Sequence, residues 1–162
     1  MSTAGLLAVR ALAPGDADAV VGLREQLFAS DPDAHWAAGA EDWRPHYRAQ
    51  LDDELRGVHA DTRTLVATVD DAVVGTLTAI VDRHLAGPAA PTGRSGWIQG
   101  VFVAPAARGR GLAGRLTAAA EEWLRGRGAR TVALASTPAA ESLYRGRGYI
   151  EDGETHFRKE LR

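Results

Sequence analysis

The chain contains no cysteine. That excludes disulfides, thiolate metal sites and a cysteine nucleophile, and it fits a reducing compartment. Net charge is also nearly absent, at −2, so global charge draws no polyanion such as nucleic acid to the protein. The opening "MSTAGLLAVR" lacks a basic region followed by a long apolar run, so no signal peptide is expected. No stretch approaches the length of a membrane helix. These absences predict a cytoplasmic protein with no membrane and no nucleic-acid partner. What is present is ordinary for a globular chain: 162 residues, 45% apolar and 25% charged. The expectation is one domain over residues 1–162 with a sizeable core. The charge is unevenly spread. Before Trp97 there are 14 acids and 8 bases, and from Trp97 onward 7 acids and 11 bases. An acidic first half beside a basic second half points to two kinds of ligand, against the plain alternative of chance clustering on solvated faces.

Hydrophobic periodicity sets out the elements. Leu6–Leu12 reads as a strand. Asp16 is placed to cap a helix carrying Val20, Leu23, Leu27 and Phe28 at helical spacing. A second helix is predicted over about Glu41–Leu55, with Tyr47, Leu51 and Leu55 on one stripe and Pro45 near its first turn. "RTLVATV" and "AVVGTLTAIV" form a predicted hairpin about Asp70–Asp71. "WIQGVFV" is a further strand. A helix from about Gly111 bears Leu112, Leu116, Ala119, Ala120, Trp123 and Leu124 on one face. "RTVALAS" is a strand, "PAAESLYRGR" a short helix, and "YIEDGETHFRKEL" a closing hairpin with "EDGE" as its turn. The order β-α-α-β-β-β-α-β-α-β-β predicts an α/β (α+β) fold, a mixed sheet with helices on its faces.

The tetrapeptide "RGRG" occurs three times, at Arg108–Gly111, Arg125–Gly128 and Arg145–Gly148. Each copy falls at a predicted helix boundary in a chain with a core pattern, which weighs against an RNA-binding arginine-glycine tract. Only the first copy follows a strand and opens a helix. A helix N-terminus there leaves N–H groups unpaired and positive, glycines allow close approach, and Arg108, Arg110 and Arg115 add charge. A phosphate-bearing ligand is the natural expectation, beside the bland one of a glycine-rich helix start. The first copy also begins "GRGLAG", a match to the dinucleotide fingerprint. Context rejects that reading: "APAAR" separates strand from glycine, and the next strand ends "ALAS" without an acid. A P-loop is excluded because no Gly-Lys-Ser/Thr follows the glycines.

Two blocks together resemble the core of the GNAT superfamily of acyl-CoA-dependent N-acyltransferases. The first is a strand followed by Val103, Pro105, Arg108, Gly109, Gly111 and Ala113, then a helix. The second is a strand, then a helix carrying Leu143 and Tyr144 and leading to Gly148 and Tyr149. The resemblance covers about the last 60 residues. It implies acetyl-CoA as co-substrate, no metal, and a pyrophosphate held by the amides of Arg108, Gly109, Arg110, Gly111, Leu112, Ala113 and Gly114. It implies that the backbone of Val101, Phe102 and Val103 pairs with the pantetheine arm, as an added half-strand would. Ser136 and Thr137 stand where the family often has an asparagine bonding that arm. Tyr144 would protonate the leaving thiolate. Gln99 stands where many members carry a glutamate base; it could orient a water but cannot be a carboxylate base. His84, Asp82, Glu41 and Asp42 are further candidates for the base, each also readable as a surface residue. Dimers are common in the family, so a homodimer is an open expectation.

By the same resemblance the first helices shape the acceptor site. The region is acidic and holds Trp36, Trp43 and Tyr47. Carboxylates with aromatics suit a cationic amine, such as a polyamine or aminoglycoside-like compound, with a peptide amine nearly as apt. The resulting expectation is an N-acetyltransferase acting by direct transfer on a primary amine. The alternative is a sensor of the same fold that binds acyl-CoA without turnover.

Overall fold

The computed structural model of the chain describes residues 5–161. Five strands form one sheet in the order β1-β2-β3-β4-β5: β1 (Leu7–Ala11), β2 (Thr62–Val69), β3 (Ala72–Arg83), β4 (Arg94–Val103) and β5 (Val132–Leu134). The first four are antiparallel, and β5 runs parallel to β4. Four helices accompany them: α1 (Ala17–Ser30), α2 (Arg44–Leu55), α3 (Leu112–Gly126) and α4 (Glu141–Gly146). The mixed α/β class is therefore as the sequence predicts, and so is the order through α4.

Local chemistry explains the turns. Asp70 and Asp71 both adopt positive φ, 48° and 67°, which closes β2 onto β3 through a two-residue turn. Asp16 does precede α1, but it makes no side-chain capping bond to that helix. Its carboxylate instead accepts hydrogen bonds from Arg10 at 2.6 and 3.1 Å and from the amide of Ala13 at 2.8 Å. It clamps the β1–α1 turn. The helix expected from Glu41 begins only at Arg44, with Pro45 in its first turn, because Asp42 uses its side chain on the amide of Arg44.

The sheet buries both faces. Leu112, Leu116, Ala120 and Leu124 of α3 pack on Leu65, Ala67, Leu77, Ala79 and Ile98. On the opposite face α1 and α2 bring Ala17, Val20 and Leu51 onto Val66. Alternation along β2 sends Leu65 and Ala67 to one layer and Val66 to the other, as a period of two requires.

The closing hairpin is the one expected element that does not form. Residues 149–161 carry no strand, and Ile150, Phe157 and Leu161 are exposed. The three residues of β5 make a short template. An isolated hairpin rich in Glu, Asp, Arg and Lys buries too little apolar surface to hold itself together.

Candidate active site

The central feature is a divergence of two strands. β4 pairs with β5 only at Gly96, Trp97 and Ile98. β5 then ends at Leu134, while β4 continues to Val103, paired on its other side with β3. Among the described residues no strand lies beside the β5-facing edge of β4 from Gln99 to Val103. A bulge marks the point of divergence. Two residues of β4, Gly100 and Val101, oppose Leu77 alone, and Gly100 has φ 63°. The extra residue resets the alternation: Ile98 before it and Val101 and Val103 after it all pack toward α3. Gln99 is left facing the α1–α2 side.

Beyond Val103 the chain makes a 3-10 turn over Pro105–Ala107 and a glycine turn into α3. Gly109 and Gly111 have φ 75° and 73°, and a Cβ on either would meet nothing within 4 Å. The left-handed backbone thus demands glycine while the space above it is open. No side chain caps α3, so the amides at its start remain available to an anion. Arg108 does something more specific than add charge. Its Nε donates to the carbonyl of Val103 at 3.0 Å and its guanidinium lies 5.5 Å from the Phe102 ring. It ties the turn to the end of β4. Arg110 and Arg115 are exposed beside the turn, Leu112 points into the core, and Ala113 and Gly114 are half-buried.

Tyr144 is the buried residue of α4, and burial pushes its hydroxyl above the ordinary tyrosine value. Its ring packs edge-on against Tyr149 at 5.6 Å. The Tyr149 hydroxyl is committed to Glu121 at 3.1 Å, and Arg147 pairs with that carboxylate at 2.6 Å. Burial, then the Glu121 charge, drive the Tyr149 hydroxyl strongly upward. The Glu121–Arg147–Tyr149 cluster fastens α4 to α3 and so holds Tyr144 in place. Ser136 and Thr137 lie exposed just beyond β5, where Ser136 Oγ donates to the Thr137 carbonyl at 2.9 Å.

On the α1–α2 side Gln99 opens onto a cleft of about 190 Å³ that also meets Arg24, Tyr47, Gln50, Glu54 and Thr78. None of His84, Asp82, Glu41 and Asp42 lines it. His84 pairs with Asp82 at 3.0 Å on the surface, and the Arg44 side chain holds the Asp42 carboxyl below its usual range. The acids of α1 and α2, and Asp42 just before α2, are also spoken for: Glu25 and Asp42 by Arg44, Asp18 and Asp52 by Arg48, Asp53 by Arg56. Both Glu54 oxygens accept from Thr64, at 2.6 Å from its amide and 2.7 Å from its hydroxyl. The predicted aromatics do cluster. Phe28 contacts Trp36 and Trp43, with ring centroids 5.8 and 5.0 Å apart, and Trp43 contacts Tyr47 at 6.0 Å. The residue that sequence reasoning overlooks is Arg24. Its signal is visible in hindsight, since Arg24 sits midway between Val20 and Phe28 on the apolar face of α1. Among the described residues no group of His, Asp and Glu could hold a metal ion, and no helix is long and apolar enough to cross a membrane.

The model of the acetyltransferase (GNAT) family matches residues 26–149. A glucosamine 6-phosphate N-acetyltransferase of Oryza sativa subsp. japonica is 35% identical over 135 residues, covering 81% of this chain and 73% of that protein. A Clostridium acetobutylicum protein solved with acetyl-CoA superposes with TM-score 0.79 at 15% identity, covering 94% of this chain and 96% of its own. An aminoglycoside N-acetyltransferase solved with CoA superposes with TM-score 0.74 at 21% identity, covering 99% and 98%.

Proposed function

Since the chain belongs to the acetyltransferase (GNAT) family, we propose that it moves an acetyl group from acetyl-CoA to a primary amine of a small molecule or peptide by direct transfer. The observation that carries this reading is the run from the free edge of β4 straight into an uncapped, glycine-lined helix start. An extended arm ending in a pyrophosphate needs both features, in that order. The backbone of Val101, Phe102 and Val103 offers the arm a strand-like partner. Of the expected amides, Arg108 gives its own to the Pro105 carbonyl at 3.3 Å, and those from Gly109 to Gly114 offer the pyrophosphate N–H donors, with open space above Gly109 and Gly111. Ser136 and Thr137, across the gap, offer the arm two hydroxyls.

The chemistry then balances as follows. The amine nitrogen bonds to the thioester carbonyl carbon and the carbon–sulfur bond breaks. The amine proton leaves to a water oriented by Gln99. The departing thiolate takes a proton from the Tyr144 hydroxyl, which solvent replaces. A hydroxyl pushed up by burial stays protonated at neutral pH and so remains a donor. The cleft at Gln99 lies on the side from which an acceptor would approach, and the rice relative, whose name gives an amino-sugar phosphate as its acceptor, puts amines on sugars first in any panel.

The test is release of free CoA from acetyl-CoA across a panel of amines, run beside calorimetric binding of CoA. Amine-dependent release supports transfer. Tight CoA binding without release by any amine supports the sensor reading instead. Absence of CoA binding refutes both.

A further inference from the structure

The charge that faces the acceptor cleft is not acidic alone, because Arg24 lines it beside Glu54. Arg24 borders two adjoining depressions: the one opening at Gln99, and another formed with Phe28, Trp43, His46, Tyr47 and Gln50. Its guanidinium lies 4.7 Å from the Tyr47 ring centroid, 5.1 Å from that of Phe28 and 6.0 Å from that of Trp43. The Tyr47 hydroxyl draws on one of its N–H groups; a guanidinium carries five donors, and the others can grip a carboxylate or phosphate. Among the described residues Arg24 enters no ion pair, although Arg44, Arg48 and Arg56 on neighbouring α2 and its end all do. The carboxylate of the same cleft, Glu54, gives both oxygens to Thr64. The other titratable side chains around the two depressions are His46, His59 and Tyr47, none of them an anion at neutral pH.

Position adds to charge. A Cβ on Gly100 would come within 3.1 Å of Arg24 Nη1. The guanidinium therefore lies against the bulge, one residue from Gln99. A group held there is separated by only a few bonds from an amine placed at Gln99.

We propose that the acceptor amine carries an anionic group, a phosphate or a carboxylate, and that Arg24 binds it and so selects against polycations. This deepens the acetyl-transfer reading and takes its word "acceptor" from it. The cation expected from the acidic sequence of α2 gives way because arginines pair with Asp52 and Asp53 and Thr64 occupies both oxygens of Glu54.

Four small amines of similar reach separate the possibilities: 2-aminoethyl phosphate, β-alanine, ethanolamine and putrescine. Binding is read from the change in tryptophan fluorescence, to which Trp43 beside Arg24 contributes, with CoA present and also without it, so that the result does not depend on turnover. The proposal expects one or both anionic amines to bind the wild type at least tenfold more tightly than ethanolamine or putrescine. Which of the two leads tells phosphate from carboxylate. Arg24→Ala should remove that preference, raise KM about tenfold or more where turnover is seen, and leave CoA affinity and kcat nearly unchanged. Arg24→Lys should recover part of the preference. Tighter binding of putrescine or ethanolamine overturns the proposal, as does an anionic preference that survives in Arg24→Ala. Failure of CoA to bind or to be released strikes the transfer reading alone, because the fluorescence titration still reports on Arg24.

Discussion

Gly111→Ala and Gly128→Ala form a matched pair that isolates the ligand role of the first glycine turn. Both glycines are the fourth residue of an "RGRG" copy, and both are left-handed, with φ 73° and 87°. At Gly111 an added Cβ meets nothing within 4 Å, and at Gly128 it meets Arg94 at an ordinary 3.6 Å. The folded-state cost is thus the same backbone strain in each case, about 1–2 kcal/mol for an L-residue in that region. In a chain of this length that lowers Tm by roughly 2–8 °C, at 2–4 °C per kcal/mol. The two positions stand at opposite ends of α3, separated by 15 residues of helix, or about 22 Å at 1.5 Å per residue. Only the Gly111 methyl intrudes where a pyrophosphate would approach. Calorimetric titration with CoA should therefore find Gly128→Ala close to wild type. Gly111→Ala should be weakened at least tenfold, about 1.4 kcal/mol. Equal affinities at equal loss of Tm would refute the assignment of the turn to phosphate binding.

Tyr144→Phe should lower kcat by about a hundredfold or more, as loss of a general acid does, with CoA affinity little changed. Burial raises the Tyr144 hydroxyl, so the acid form persists through neutral pH and is lost only as pH climbs past the ordinary tyrosine range near 10. The wild-type rate should fall there, and a pH–rate profile of Tyr144→Phe should lack that alkaline limb. Asp16→Asn should destabilise the fold by about 2 kcal/mol, the scale of charge-assisted hydrogen bonds, measured by urea unfolding at neutral pH. The Arg10 bond holds the Asp16 carboxyl below its ordinary value. The stability it contributes is present above the unfolded value near 4 and disappears as pH falls through the lower folded value. Wild type and variant should converge in that acid range. Glu121→Gln should loosen α4 and reduce kcat through Tyr144, with faster amide exchange in residues 141–149 as the sign of that indirect route.

The sequence made most of the scaffold legible because its signals were local. Asp70–Asp71 between two β-branched runs names a hairpin, and Leu112, Leu116 and Leu124 name a core face, without any distant partner. The closing hairpin misled for the opposite reason. Alternating residues and "EDGE" describe a turn, but a strand exists only if a neighbour supplies a ladder, and β5 is three residues long. The acceptor region misled in a third way. Counting acids in "AEDWRPHYRAQLDDELRG" says nothing of which arginine meets which carboxylate, and the pairs Glu25–Arg44 and Asp18–Arg48 join different helices. Arg24 escaped notice because one cation among apolar residues on α1 gains neighbours of consequence only when α2 brings Trp43 and Tyr47, and β4 brings Gly100, against it.

The most direct test of the account is backbone hydrogen exchange with and without CoA. The account predicts slowed exchange at the amides of residues 109–114 and along the free edge of β4 between Gln99 and Val103, with α2 and β1 unchanged. Slowing confined to α1 and α2, or no change at the glycine turn despite measurable CoA binding, would contradict it.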